Sequence, residues 1–499
     1  LFNQLKRKMK MKMKLNKIAI TGLFALSLVA CDIETVDKAS LSPALALNTA
    51  AGVQSAVLST YRRTHEFDFY GQQANLHGDA FADNIEIVNR TGRYEQEWVN
   101  GIGVYANRWA VAYRGILDAN FVLEYLPKLN LADVPSSGTI TSQQVINHMR
   151  GEALFLRSLF YMELLRVYAY EPGKEVNGFN LGVILRDKPT EVVSDADKRA
   201  RSTNLECYQF VETDLLEAVN LLLPASAIGA AWPASLGTNT FPFRATKAAA
   251  HALLARHYLN WSRFADADTQ ATAALTFVPV AAPVSSAGFV TAFSTATHPE
   301  SIFEIEIRPT DWSGVSGPND SMNSITTNLL SGSQYVIAAS AELIAAHEAT
   351  DVRRNLYINT AATLNKPQSR KWPGEKGAFV ENIPVIRRAE MYLIQAEARA
   401  RQNNDAGAQT AVNAIRTNRG LTATALTGTA LIALVMNERR VELALEGFRF
   451  YDFKRLGLDV PKPAASGVGT LPYTDFRMLQ QLPNDQVLLN SNLEQNPGY

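Results

Sequence analysis

Two stretches of this chain carry the same alanine spacing inside helical patterns, and that repetition constrains the fold most tightly. Around Leu253-Leu254-Ala255 a helical run leads through Ser262-Arg263-Phe264 to Ala267. Around Ile394-Gln395-Ala396 a second leads through Asn403-Asn404-Asp405 to Ala408. The two alanines of each stretch stand 12 residues apart. Small residues at those points let two antiparallel helices approach closely, which is the logic of a tetratricopeptide-like hairpin. Further helices are expected beside them. Trp109, Tyr113, Ile116, Leu117, Asn120 and Leu123 recur at helical spacing, and Gly151 to Tyr170 repeats the pattern through Leu154, Leu159 and Leu165. Thr203-Asn-Leu-Glu206 is a capping box for a helix running to Leu223, before Pro224. Thr246 is an N-cap for a helix to Trp261. The best strand is Ser301 to Ile307, with Phe303, Ile305 and Ile307 on one face. The expected fold is mostly α: a superhelix of such hairpins with long irregular loops and a few short strands.

The amino terminus reads as an export signal. Lys6, Arg7, Lys8, Lys10, Lys12, Lys14 and Lys17 precede an apolar run of 13 residues, Ile18 to Ala30. That run is too short for a membrane span, which takes about 20 residues, and suits a secretory leader. It ends in Leu28-Val29-Ala30-Cys31, which looks like a bacterial lipobox, so Cys31 is expected to carry lipid. The first residue is Leu, which suggests an alternative start at Met9, Met11 or Met13. The domain plan is a signal peptide over 1–30, the lipidated Cys31 and a tether over 31–42, and one folded domain over 43–499. Cys207 is then the one other cysteine, expected as a packed, inert thiol. With 48 basic and 48 acidic residues, there is no whole-protein basic field of the kind nucleic-acid binders use.

Polar stretches over 70–105, 172–200, 225–243, 279–299, 308–335 and 357–383 read as long loops, and loops of that length carry function. Flat aromatic rings stack on sugars, so Tyr94, Trp98, Trp312, Tyr335 and Trp372 are the candidate ligand contacts. Arg93 and Asn100 would supply hydrogen bonds beside the first two. The loops near Trp98 and Trp312 are expected to form opposite walls of one site. Catalytic motifs are missing: there is no His-Glu-x-x-His, no phosphate loop and no Gly-x-Ser-x-Gly elbow. Gly101-Ile-Gly103-Val-Tyr-Ala106 mimics a dinucleotide fingerprint but lacks a preceding buried strand. Glu304 and Glu306 share a strand face, where neighbouring carboxylates cannot flank a glycosidic bond. No metal or cofactor is expected. Glu438, Glu442 and Glu446 recur every four residues and read as a structural ion network, with Arg439, Arg449 and Arg455 as its cations.

An ordered series of motifs completes the reading. Gly151-Glu-Ala-Leu-Phe-Leu-Arg157 with Phe160-Tyr161 comes first, then Arg201-Ser-Thr203 with Asp214-Leu215 and Leu223-Pro224, then Arg244-Ala-Thr-Lys with Leu253-Leu-Ala-Arg256. Arg388-Ala-Glu390, Asn413-Ala-Ile-Arg416, Glu438-Arg439, Glu446-Gly447-Phe-Arg449 and Asp452-Phe-Lys-Arg455 follow, and the chain ends on Gln495-Asn-Pro-Gly-Tyr499. From Cys31 to Tyr499 the series resembles the SusD/RagB family. The resemblance implies a fold of four tetratricopeptide-like hairpins, with 43–300 and 301–499 as its amino- and carboxy-terminal regions. It also implies a lipoprotein of the outer membrane, facing outwards, that partners a SusC-type TonB-dependent transporter. Such a protein delivers glycans or, in some members, peptides, and has no catalytic machinery. The competing expectation is a surface glycoside hydrolase or other helical hydrolase.

Overall fold

The computed structural model describes residues 42–101, 107–192, 194–279, 282–311, 319–359, 366–374 and 376–499. Cys31, the apolar run before it and Trp312 lie outside the described residues. The chain divides into two compact units, Leu1–Ala46 and Leu47–Tyr499. In the first, one helical turn spans Pro43–Ala46.

The frame of the second unit is helical. The long helices are α1 (Ala50–Thr64), α4 (Arg108–Tyr125), α5 (Ser142–Tyr168), α6 (Asn204–Leu221), α7 (Lys247–Asn260), α8 (Phe264–Phe277), α9 (Arg388–Arg401), α10 (Asp405–Thr417) and α11 (Gly428–Glu442). Shorter helices are α2 (Gln73–Ala80), α3 (Glu95–Trp98) and α12 (Arg449–Leu456). Four pairs pack in succession, α1 with α4, α5 with α6, α7 with α8 and α9 with α10, and each pair rests on the next. This is the hairpin superhelix that the alanine spacing predicts. Ala255, Ala267, Ala396 and Ala408 are all fully buried. Ala396 and Ala400 of α9 meet Ala408, Ala411 and Val412 of α10 and Leu431 and Val435 of α11 in one apolar cluster. Close approach recurs between α4 and α5, where a Cβ on Gly115 would fall 2.3 Å from the Phe160 ring.

Caps set where the helices begin. Thr203 accepts from the Glu206 amide while the Glu206 carboxylate takes the Thr203 amide, so two otherwise orphaned N–H groups are satisfied. Thr246 accepts from the Ala249 amide in the same manner. Helix α6 stops at Leu221, two residues short of the expectation, because Leu222 is already extended on the approach to Pro224.

The strands are short and pair in twos, all antiparallel: β1 (Ile85–Ile87) with β3 (Ile337–Ala339), β2 (Ser301–Ile305) with β6 (Ile383–Arg387), and β4 (Tyr357–Ile358) with β5 (Gln368–Ser369). Both faces of β2 are buried, Glu304 included. Residues 70–101 depart from the loop expectation, since they hold α2, β1 and α3. Helix α2 escaped notice because Asn75, His77 and Asp79 are buried along with its alanines, so it shows no apolar stripe.

The acidic triplet is a buried ion network with partners other than those expected. Helix α11 ends at Glu442, so Glu446 lies beyond it. Glu438 binds Arg353 and Arg416, Glu442 binds Arg353, Arg387 and Arg419, and Glu446 binds Arg387 and Lys371. Of the cations named from spacing, Arg439 pairs with Asp452, Arg449 with Asp83 and Arg455 with Glu397 and Asp452. Nearness in sequence misled there, because the network draws its cations from four separate segments.

Candidate binding cleft

The β1–β3 ladder joins two segments remote in sequence. Ile85 faces Ala339 and Ile87 faces Ile337. The Val88 amide extends the ladder to the Val336 carbonyl at 2.9 Å, and Asn89 Nδ2 donates to the Gln334 carbonyl at 2.9 Å. The chain beyond each strand then forms a wall, residues 92–97 on one side and 319–320 on the other. With α2 they enclose a cleft of about 450 Å³, lined by Gln72, His77, Arg93, Tyr94, Glu97 and Asp320 among others. That volume is within the range of about 300–1,000 Å³ usual for small-ligand sites.

The walls are tied across. Arg93 Nη1 donates to the Asn319 carbonyl, and its Nη2 stands 3.3 Å from Asp320 Oδ1. Gln72 Nε2 donates to the Asp320 carbonyl at 2.8 Å, and the Tyr94 hydroxyl donates to Gln72 Oε1 at 2.6 Å. Below them His77 Nε2 lies 3.3 Å from Glu97 Oε1. Burial pushes the His77 imidazole below its ordinary value, which favours the neutral ring. The wall over 92–100 carries backbone strain: Tyr94 has φ 60° and Asn100 has φ 55°, left-handed values that a bulky residue such as Tyr94 rarely holds. Strain of this kind persists only where surrounding contacts over-determine it, and it clusters at ligand sites.

The carboxy-terminal segment supplies some of those contacts. Lys462 Nζ donates to the carbonyls of Ala80, Phe81 and Glu97 at 3.2, 2.9 and 2.7 Å, joining the end of α2 to α3. Arg477 Nη1 donates to the Asn100 carbonyl at 2.8 Å. A Cβ on Gly447 would stand 2.0 Å from the Ala74 carbonyl oxygen, so the chain after the ion network lies directly on α2.

The candidate residues named from sequence divide. Arg93 and Tyr94 line the cleft, though Tyr94 is 6% exposed and presents little ring face. Trp98 closes α3 but is 3% exposed, with the Arg90 guanidinium 5.8 Å from its ring centroid. Asn100 turns away, its Nδ2 3.4 Å from the Gly469 carbonyl. Tyr335 is buried, its hydroxyl on the Lys366 carbonyl at 3.0 Å. Trp372 is 2% exposed, beside His298 and Lys371. Trp98, Tyr335 and Trp372 are therefore corrected from ligand stackers to packing residues: rings this large lose most by staying in water, so even polar loops fold inward around them. Sequence reasoning missed Gln72, His77, Glu97 and Asp320. The turn-favouring residue types at 317–319 were the readable signal for Asp320; the others carry no periodic signature.

A second cleft of about 480 Å³ lies between α1, residues 238–244 and β2. Its floor is the buried faces of Tyr61 and Phe303, and its charges are used internally, Arg244 on Glu152 and Glu306 on Arg308. Thr238 and Thr240 on one side and Arg308 and Thr310 on the other bring loop residues to it as well.

Comparison with known proteins agrees with this architecture. A family model described as "Starch-binding associating with outer membrane" matches residues 70–259, and the model of the SusD family matches residues 371–499. The chain belongs to the SusD/RagB family. SusD-like protein P2 of Formosa agariphila is 25% identical, covering 98% of this chain and 100% of that protein. A SusD superfamily protein from Bacteroides vulgatus superposes with a TM-score of 0.75 at 24% identity, covering 91% of this chain and 99% of its own. A SusD-like carbohydrate binding protein from the same species superposes with a TM-score of 0.72 at 20% identity, covering 89% and 97%. The four helix pairs are thus the SusD fold, and the first matched segment includes α2 and α3, which carry most of the cleft.

Proposed function

We propose that this chain is a surface lipoprotein of the outer membrane that binds a glycan in the cleft and delivers it to a SusC-type TonB-dependent transporter. The observation that carries the reading is the junction of Arg93 and Asp320: two loops remote in sequence, in a chain of this family, meet over a polar cleft of ligand size. Family membership and the carbohydrate-binding relative support the glycan, and the lipobox at Cys31 supports the anchor. Among the described residues the cleft holds hydrogen-bonding groups in number but no nucleophile paired with a base, which fits binding without turnover.

The test is calorimetry of the purified chain against a glycan panel, followed by chromatography of the mixtures. Arg93→Ala should weaken binding of any glycan found by roughly 1–3 kcal/mol while circular dichroism stays unchanged. Release of shortened products would sink the binding reading in favour of a hydrolase. Unchanged affinity in the Arg93 variant would move the site off this cleft.

A further inference from the structure

We propose that the cleft selects uncharged, hydroxyl- and amide-bearing oligosaccharides and turns away polyanionic ones. This rests on the glycan-binding reading above and adds the chemical class.

The charges lining the cleft decide it. Arg93 is its one cation among the described residues, and it is already engaged by Asp320 and the Asn319 carbonyl. Against it stand the carboxylates of Asp320 and Glu97, with side-chain exposures of 33% and 8%. His77 adds no charge, because burial favours its neutral form. Arg108 stands behind the lining, fully buried, with Nη1 on Glu163 at 2.9 Å and Nη2 on the Gln73 carbonyl at 3.0 Å. Asp68, in the turn beside Phe67, adds another acid close by. At the rim, Arg90 lies 3.7 Å from Glu95. The adjoining sequence adds no cation, since residues 99–107 and 309–318 contain neither lysine nor arginine. Behind the lining Lys462 is spent on the Ala80, Phe81 and Glu97 carbonyls and Arg166 on Glu163. A ligand carboxylate or sulfate would thus face two carboxylates of the lining and meet none of its cations uncommitted.

Hydrogen-bond capacity points the same way. The Glu97 and Asp320 carboxylates accept only. Such a site wants donors. Sugar hydroxyls and acetamido N–H groups are donors; carboxylates and sulfates are not. The exposed Gln96 amide can give and take in return.

The experiment is calorimetry on the full chain with two sets of oligosaccharides. Amylose, xylan, mannan and chitin fragments form the uncharged set; polygalacturonate, alginate and hyaluronan fragments form the anionic set. Binding is expected within the uncharged set, with the anionic set weaker by about tenfold or more. Affinity should change less than about twofold between 0.05 and 0.3 M salt, because no ligand ion pair is made. Joint replacement Asp320→Asn with Glu97→Gln should narrow the gap by raising affinity for the anionic set. An anionic fragment that binds more tightly than every uncharged one overturns the inference and leaves the glycan reading standing. A double variant that leaves the gap unchanged overturns the electrostatic argument. Binding to neither set overturns the inference together with the reading it rests on.

Discussion

Glu397 shows what a single buried charge does here. It is fully buried and held by both arms of Arg455, at 2.8 and 2.6 Å, with Arg401 at 2.8 Å. Burial alone would raise its carboxyl, but the two guanidiniums outweigh burial and hold it down at about 2. A carboxyl that is more acidic in the folded chain than in the unfolded one stabilises the fold above its ordinary value near 4.5. That contribution is lost as pH falls through 4.5 towards 2. The stake is on the order of 3 kcal/mol. Glu397→Gln cannot titrate, so the melting temperature of the native chain should exceed the variant's by a constant margin above about pH 5. The margin should shrink steadily as pH falls. A margin that stays flat down to pH 2 in calorimetric scans would show that Arg455 does not hold the charge. Glu442 is a more extreme case, with three guanidiniums around one carboxylate. Such groups organise the junction of α11 with β6 and the 353 segment, since removing one partner from a buried set costs about 3–5 kcal/mol.

At the scale of elements, the cleft depends on how α3 is held. This helix is only Glu95–Trp98 and has no hydrogen-bonded side-chain cap, so its four residues cannot sustain themselves. Lys462 binds the Glu97 carbonyl at its end and the Ala80 and Phe81 carbonyls at the end of α2, so one side chain donates to two helix carboxy termini. Lys462→Met keeps the stem and removes the donors. Protection from hydrogen exchange should fall over residues 95–101, where Trp98, Val99 and Gly101 donate within the turn, while α5 stays protected. Equal protection in variant and native chain would mean that packing of Trp98 alone positions α3. The contrast explains what could be read in advance. Helices such as α5 to α10 announce themselves through period, caps and small residues at crossings, all local properties. Residues of the cleft do not, because Arg93 meets Asp320 only through a three-residue ladder between strands too short for any alternating pattern. Tryptophans were visible as large flat rings, but whether such a ring faces ligand or core is settled by tertiary packing, and Trp98 and Trp372 went to the core.

For the whole molecule, the proposed function requires something that holds it at a membrane. Residues 1–30 hold seven basic side chains and no acidic one, while the whole chain balances at zero, so the remainder is net acidic and has no general attraction to anionic lipid. Among the described residues no helix is long and apolar enough to cross a bilayer. A SusC-type partner, as proposed, could hold the protein only through an interface well over about 2,000 Å², the scale of obligate contacts. The proposed function puts its attachment at Cys31, after an apolar run that suits a leader. Each buried methylene of a lipid contributes about 0.8 kcal/mol and one acyl chain holds only marginally, so stable anchoring calls for more than one chain on that residue. Cys31→Ser should therefore leave the chain either soluble or unprocessed with its leader intact. The two outcomes differ by the mass of the leader and are separated by fractionation after a high-salt wash followed by mass spectrometry. A processed, lipid-free Cys31→Ser chain that still pellets with membranes in cells lacking the partner transporter would rule out Cys31 as the anchor.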